Sequence, residues 1–251
     1  MSAPANSNSG FPTPRGFCST HWSVVSKIRR TGSPEAADAL TWLCEQYWYP
    51  LYAFVRRKGY DAEKARDLTQ AFFARLIEKD EIPAADPNRG RFRTFLLTAL
   101  QHFLANARDH EHALKRGGGR RPIRLDWRDA ESRYGQEPGH DLTPEKLFLR
   151  RWAMTLLDRV LGQLRSEYGE GRKRAVFEAA KAFLTANASA ETYAEIGRRL
   201  KLSEGAVKVA VHRMRRRYRE LLRTEIKETV DDPERPGSVD EELNDLFEAL
   251  R

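Results

Sequence analysis

The chain is poor in thiols, with two cysteines, Cys18 and Cys44, in 251 residues. Two cysteines cannot build a disulfide framework, and each is expected to be a small buried hydrophobe in a reducing cytoplasm. Apolar runs are short, and none approaches the roughly 20 residues that span a bilayer. The opening MSAPANSNSGFPTPRG has no apolar h-region, so it does not read as a secretory signal, and its Ser, Asn, Pro and Gly content predicts disorder over 1–16. No two segments alternate apolar and polar residues as paired strands would, and no internal period repeats. The phosphate-binding glycine loops, the metalloprotease and hydrolase signatures and paired CxxC motifs are all missing. His110 and His112 are two residues apart, so on a helix they point to different sides and make a poor metal pair. No pair of carboxylates stands out as a general acid and base. Catalysis, a cofactor, a metal and a small-molecule substrate are therefore not expected.

What is present is helical periodicity almost throughout, which predicts an all-α protein. A first helix is expected over 20–30, with Trp22 and Val25 inward. Gly32, Ser33 and Pro34 make a stop and a restart. Leu40, Leu43, Cys44 and Tyr47 form the next stripe, and a separate segment over 49–58 ends at Gly59, a residue suited to a left-handed cap. A helix over 61–79 carries Ala65, Leu68, Phe72, Leu76 and Ile77 on one side. The loop EIPAADPNRG precedes a long helix over 91–116, striped by Phe92, Phe95, Leu96, Ala99, Phe103 and Leu104. Gly117, Gly118 and Gly119 stop it. Residues 117–142 hold Gly, Pro and scattered charge and read as a flexible linker. A second helical domain, 143–228, starts at the capping pair Thr143-Pro144. Its stripes are Leu149, Ala153, Leu156, Leu157, Val160 and Leu164, then Val176, Phe177, Ala180, Phe183 and Leu184. The expected organisation is two small helical domains, 17–116 and 143–228, joined by that linker.

The charge is concentrated. The whole chain carries +8, and residues 198–223 alone hold ten Lys/Arg against Glu204 and Glu220. They follow Thr192 and Glu195, which stand in a capping-box relation. Ile196 and Leu200 stripe a short helix, Lys201-Leu202 break it, and Ser203 can cap a second one. In that second helix Val207, Val211, Met214, Tyr218 and Leu221 recur on one face, leaving the basic residues on the other. A short helix, a tight turn and a basic amphipathic helix suggest a helix-turn-helix that inserts its second helix in a DNA major groove. A second basic cluster spans 89–124, with nine Lys/Arg against Asp109 and Glu111. Its arginines can track phosphates. Phe92, Phe95 and Phe103 within it fit a core stripe better than a base-stacking platform. The end of the chain reverses sign: 228–251 has nine acids against Arg235 and Arg251. There Leu243, Leu246, Phe247 and Leu250 are spaced for a short acidic amphipathic helix within a 229–251 tail.

Three stretches, in this order and spacing, resemble bacterial RNA polymerase sigma factors of the extracytoplasmic-function class (group 4 of the sigma-70 family). ARDLTQAFFARLIE (65–78) is similar to the segment that docks on the polymerase clamp. DPNRGRFRTFLLTALQHFLANARD (86–109) is similar to the segment that melts the promoter and reads its −10 element. YAEIGRRLKLSEGAVKVAVHRMRRRYREL (193–221) is similar to the helix-turn-helix that reads the −35 element. The triple glycine and the tail resemble a subgroup common in Planctomycetes. The resemblance implies a cytoplasmic transcription-initiation protein whose partners are core RNA polymerase, through its β′ clamp and β flap, and promoter DNA. An anti-sigma protein or a Ser/Thr kinase is implied as a controlling partner, with Thr69 among the available hydroxyls.

The resemblance also implies site residues. Asp67, Leu68, Gln70 and Phe73 would bind polymerase. Asn88, Arg89, Gly90, Arg91, Asn106, Arg108 and Lys115 would serve the −10 element, the loop at 88–90 capturing an extruded base. Ser203, Glu204, Lys208, Val209, His212, Arg213, Arg216 and Arg217 would serve the −35 element, with Arg215 and Arg219 adding phosphate contacts. Two departures stand out. Val209-Ala210 replaces the usual Ser-Arg pair of the recognition helix, and a helical insertion over 167–190 replaces a compact Leu-Pro turn. The rival expectation is a stand-alone helix-turn-helix regulator that binds duplex DNA without polymerase; a nucleic-acid-processing enzyme is a third. The acidic tail is expected either to fold back on the basic recognition helix or to pack on the second domain.

Overall fold

Every residue from 47 to 55 is buried, so this stretch of one helix has no face left for water. The other elements are arranged around it. The computed structural model describes residues 28, 34–78, 91–109, 127–137, 139, 142–184, 191–230, 232 and 234–251. The expected N-terminal disorder, most of the first helix, Cys18, the triple glycine and His110 and His112 lie outside them. Among the described residues there is no strand, and the helices are α1 (Pro34–Arg57), α2 (Ala62–Glu78), α3 (Phe92–Asp109), α4 (Ala130–Gly135), α5 (Pro144–Glu167), α6 (Arg172–Ala180), α7 (Tyr193–Leu200), α8 (Glu204–Lys227) and α9 (Ser238–Glu248). No helix among them is long and apolar enough to cross a membrane.

Helix α1 differs from expectation in being one helix rather than two, and it runs through Pro50. An internal proline forfeits a backbone hydrogen bond and costs about 3 kcal/mol. Burial on all sides offsets that cost. Leu43, Tyr47, Leu51, Phe54 and Val55 join Leu68, Phe72, Leu76, Phe92, Leu96, Leu100, Phe148, Trp152 and Leu156 in one core. Gly59 then ends the turn after α1 at φ +96, the left-handed conformation that favours glycine. Asp61 caps α2 by accepting from the Lys64 N–H at 2.8 Å.

The 127–137 part of the expected linker is not a loose tether. It forms α4 and docks on the aromatic face of α1. The Trp127 ring meets Trp48 edge-on at 4.9 Å and Tyr52 at 5.6 Å. The Arg133 guanidinium lies 3.7 Å over the Tyr49 ring. Tyr49 donates to Glu137 at 2.7 Å, Tyr52 donates to Glu131, and Arg56 pairs with Glu131 at 2.8 and 3.0 Å. The short period of α4 left little for a pattern to detect; its rings and charges act through residues distant in sequence.

The packing also does not divide where the linker was expected. Helix α5, capped by Thr143, places Phe148, Trp152, Ala153, Leu156 and Val160 in the core built on α1, while Leu164 near its end, with Leu161 beside it, joins a second, smaller core. That smaller core holds Phe177, Ala180, Ile196, Val207, Val211 and Met214. Helix α8 belongs to both: its first half lies in the small core, while Leu222 and Ile226 lie in the large one. Tyr218 and Leu221 touch both cores.

Hydrogen bonds from Arg56 hold the Glu131 carboxyl below its ordinary value, outweighing the upward push of burial, with the Tyr52 hydroxyl adding to the effect. A depressed folded value stabilises above the unfolded value, about 4.3, and that stability is lost as pH falls through the folded value. Urea unfolding at pH 6 is therefore expected to show Glu131→Gln less stable than the parent. The difference should shrink as the pH is lowered below about 4; a gap that is constant with pH counts against the ion pair.

Candidate nucleic-acid interface

Both caps expected for the helix pair are present. The Glu195 N–H donates to Thr192 Oγ1 at 3.3 Å, and the Thr192 N–H donates to Glu195 Oε2 at 2.7 Å. Helix α7 ends at Lys201 in the left-handed conformation, φ 55. The chain doubles back there so tightly that the Leu202 N–H donates to the Gly197 carbonyl at 2.8 Å. A Cβ on Gly197 would stand 2.7 Å from the Leu202 carbonyl oxygen, so only glycine fits the turn without displacing backbone. Ser203 then caps α8 by accepting from the Ala206 N–H at 3.2 Å.

With Val207, Val211 and Met214 turned inward, Lys208, Val209, His212, Arg213 and Arg216 are left exposed at spacings that place them on one outward surface of α8. Val209 is 50% exposed. An exposed branched apolar side chain among cations suits contact with a thymine methyl. Lys208 pairs with Glu204 at 2.7 Å, which raises its pKa, and Arg216 pairs with Glu220 at 3.0 Å. Two arginines read from sequence as phosphate contacts have other partners. Arg217 binds Glu167 of α5 at 2.6 and 2.8 Å, and Arg215 donates twice to the Phe183 carbonyl at 3.0 and 3.1 Å. They brace α8 against α5 and the residues after α6. Nothing in a local pattern signals this, because the partners lie 50 and 32 residues away.

On α2 the structure separates the four residues implied for polymerase. Asp67 is exposed and Gln70 half-buried, whereas Leu68 is 3% and Phe73 0% exposed. Leu68 and Phe73 are thus core, because the apolar stripe of α2 is wide enough to meet both α1 and α3. The exposed residues of α2 include Glu63, Arg66 and Asp67, with half-buried Gln70 one turn on, and Ile77, which was expected inward and is 39% exposed. Thr69 is fully buried and donates to the Ala65 carbonyl at 2.8 Å, which removes it as an accessible hydroxyl for a kinase.

On α3, Phe92 and Phe103 are core and Phe95 packs against it, as the stripe predicted. Asn106 is exposed. Arg108 lies within α3. Asn88, Arg89, Gly90 and Lys115 lie outside the described residues. Arg91 is half-buried and pairs with Glu242 at 2.7 Å and with Asp245. Arg93, absent from the sequence-derived set, is 4% exposed and pairs with Glu242 as well.

The acidic helix α9 therefore does not cover the exposed surface of α8. Its carboxylates reach Arg91 and Arg93, and only Asp240 meets α8, at Arg223, 2.6 Å. Among the described residues no group of three or more His, Cys, Asp and Glu side chains could hold a metal ion. Burial pushes the Cys44 thiol up to about 12, so it carries no reactive thiolate at neutral pH.

No protein-family model, curated protein or solved structure matches the chain. The surface is read from its own chemistry: exposed cations and one apolar side chain on a helix held by a tight turn. Gly197→Ala is expected to destabilise the protein by about 1–3 kcal/mol in urea unfolding, despite alanine's better helix propensity, because the opposing atom is backbone. An unchanged midpoint would mean that the turn relaxes freely.

Proposed function

We propose that this chain is a sigma factor of the extracytoplasmic-function class, which binds core RNA polymerase and directs initiation at promoters through −10 and −35 elements. The observation that carries the reading is the α7–turn–α8 unit, whose exposed Lys208 and Arg213 match positions that face the −35 groove in the resembled family, with Val209 and His212 exposed beside them. Asp67 and Gln70, outward on α2, supply the polar groups for the polymerase clamp. Arg91 and Asn106 lie within the segment that resembles the −10 reader. The polymerase does the chemistry, and this chain supplies recognition and helps open the duplex. Its setting is the cytoplasm, where polymerase and promoter are found.

Core polymerase incubated with genomic DNA fragments should give new RNA 5′ ends when this protein is added. These starts should vanish with Asp67→Ala or Gln70→Ala. DNA binding that ignores polymerase, with no new starts, would instead establish a stand-alone regulator. On the −35 side, Lys208→Ala and Arg213→Ala are each expected to weaken binding to a selected promoter duplex about tenfold, since a good base-edge contact is worth about 1–3 kcal/mol. Equal loss on unrelated duplexes would make them phosphate contacts instead.

A further inference from the structure

Beyond the exposed surface of α8 and the outward face of α2, one charged constellation brings α9 onto Arg91 and its neighbour Arg93. Glu242 of α9 is fully buried. It accepts from both terminal nitrogens of Arg93, one at 3.0 Å, from Arg91 Nε at 2.7 Å and from the Thr229 hydroxyl at 3.2 Å. Asp245, one turn further on, pairs with Arg91 and lies 3.6 Å from Arg93. The Arg93 guanidinium lies 4.1 Å over the Trp152 ring of α5. Helices α5 and α9, both distant in sequence, thus converge on two arginines at the start of α3.

Stability alone gives no reason for charge at this place. Taking carboxylates and guanidinium groups out of water costs several kcal/mol per ion, and well-packed apolar side chains often serve as well or better. What an arginine pair offers and an apolar contact does not is exchange. The guanidinium fork binds phosphate oxygens with the geometry it uses for carboxylate. The surroundings have room for such an exchange. A cleft of about 600 Å³ opens beside the pair, lined also by Lys146 and Arg150. Arg91 and Arg93 also flank the first residue of α3, where helix amides add to the attraction for an anion.

We propose that Arg91 and Arg93 form a binding site for a nucleic-acid phosphate backbone, and that α9 is its resident competitor. In the closed chain Glu242 and Asp245 hold the two arginines. Promoter DNA takes them over by displacing α9, which otherwise rests on Val239, Leu246 and the Arg223–Asp240 pair. This rests on the sigma-factor reading for the identity of the DNA, but the exchange itself needs only a phosphate backbone.

The test uses the intact chain and a short forked duplex carrying a single-stranded arm, at low salt. Amide hydrogen exchange over 238–248 is expected to speed up about tenfold or more when this DNA binds. Full-length Glu242→Gln/Asp245→Asn should bind it about tenfold more tightly without polymerase, and adding Arg91→Ala/Arg93→Ala should abolish that gain. Protection of α9 unchanged in the DNA-bound protein would overturn the proposal, as would a gain that survives loss of both arginines, or no binding by any form. Should the double carboxylate variant fail to fold by circular dichroism, the exchange measurement on the parent protein decides alone. New transcripts with α9 still protected would sink the exchange and leave the sigma-factor reading standing. Release of α9 by DNA without any polymerase-dependent transcripts would do the reverse.

Discussion

The complete burial of the middle of α1 is the constraint on which the rest of the molecule depends. A helix with no solvent face must be covered by several partners at once, and α2, α3, α4 and α5 supply them. The cover includes polar groups that have to be answered. Tyr49 and Tyr52 put their hydroxyls into this layer, and burial pushes both well above the ordinary tyrosine range, so they stay protonated and act as donors. Glu137 and Glu131 accept from them, and each of those carboxylates is paired in turn with an arginine, Arg151 and Arg56. An apolar cover alone would have left two buried hydroxyls unanswered, each at a cost of about 1–3 kcal/mol.

The second organising fact is that α8 is shared. Its first half closes the small core under the exposed basic surface, and its second half closes the large core. Tyr218, half-buried, has its hydroxyl pushed up to about 12, by burial first and then by Asp158. Lys208 and Arg213 stand on a helix whose other end is packed against the core of α1. The Arg217–Glu167 and Arg215–Phe183 braces add stiffness at the join, where α8 passes from one core to the other. A binding surface on an element so anchored keeps its geometry when unoccupied, which lowers the ordering cost of recognition.

Charge has two distinct uses in the chain. On α8 it is exposed, with several cations paired to carboxylates three and four residues away, and such pairs add little to stability. Between Arg93 and Glu242 it is buried and bidentate, and it ties together residues 149 apart in sequence. The end of the chain is acidic and the start of α3 basic, and their meeting explains why a tail of opposite sign does not lie across the most basic surface available to it.

Most of the helical architecture could be read from the residue order alone. The caps at Thr143, Thr192 and Ser203, the break at Lys201 and the inward set Val207, Val211 and Met214 depend on neighbours within a few positions, so local periodicity and capping chemistry contain them. The same is true of the exposed cations of α8 and of the phenylalanines on the inner side of α3. Other features were decided only by tertiary contact. Pro50 stays inside a helix because burial on every side outweighs a local cost. Leu68 and Phe73 are lost to the core because α2 meets two helices rather than one. Residues 127–137 are structured by rings and ion pairs far away in sequence. Glu242 finds Arg93 because charge complementarity at long range has no period for a sequence to display.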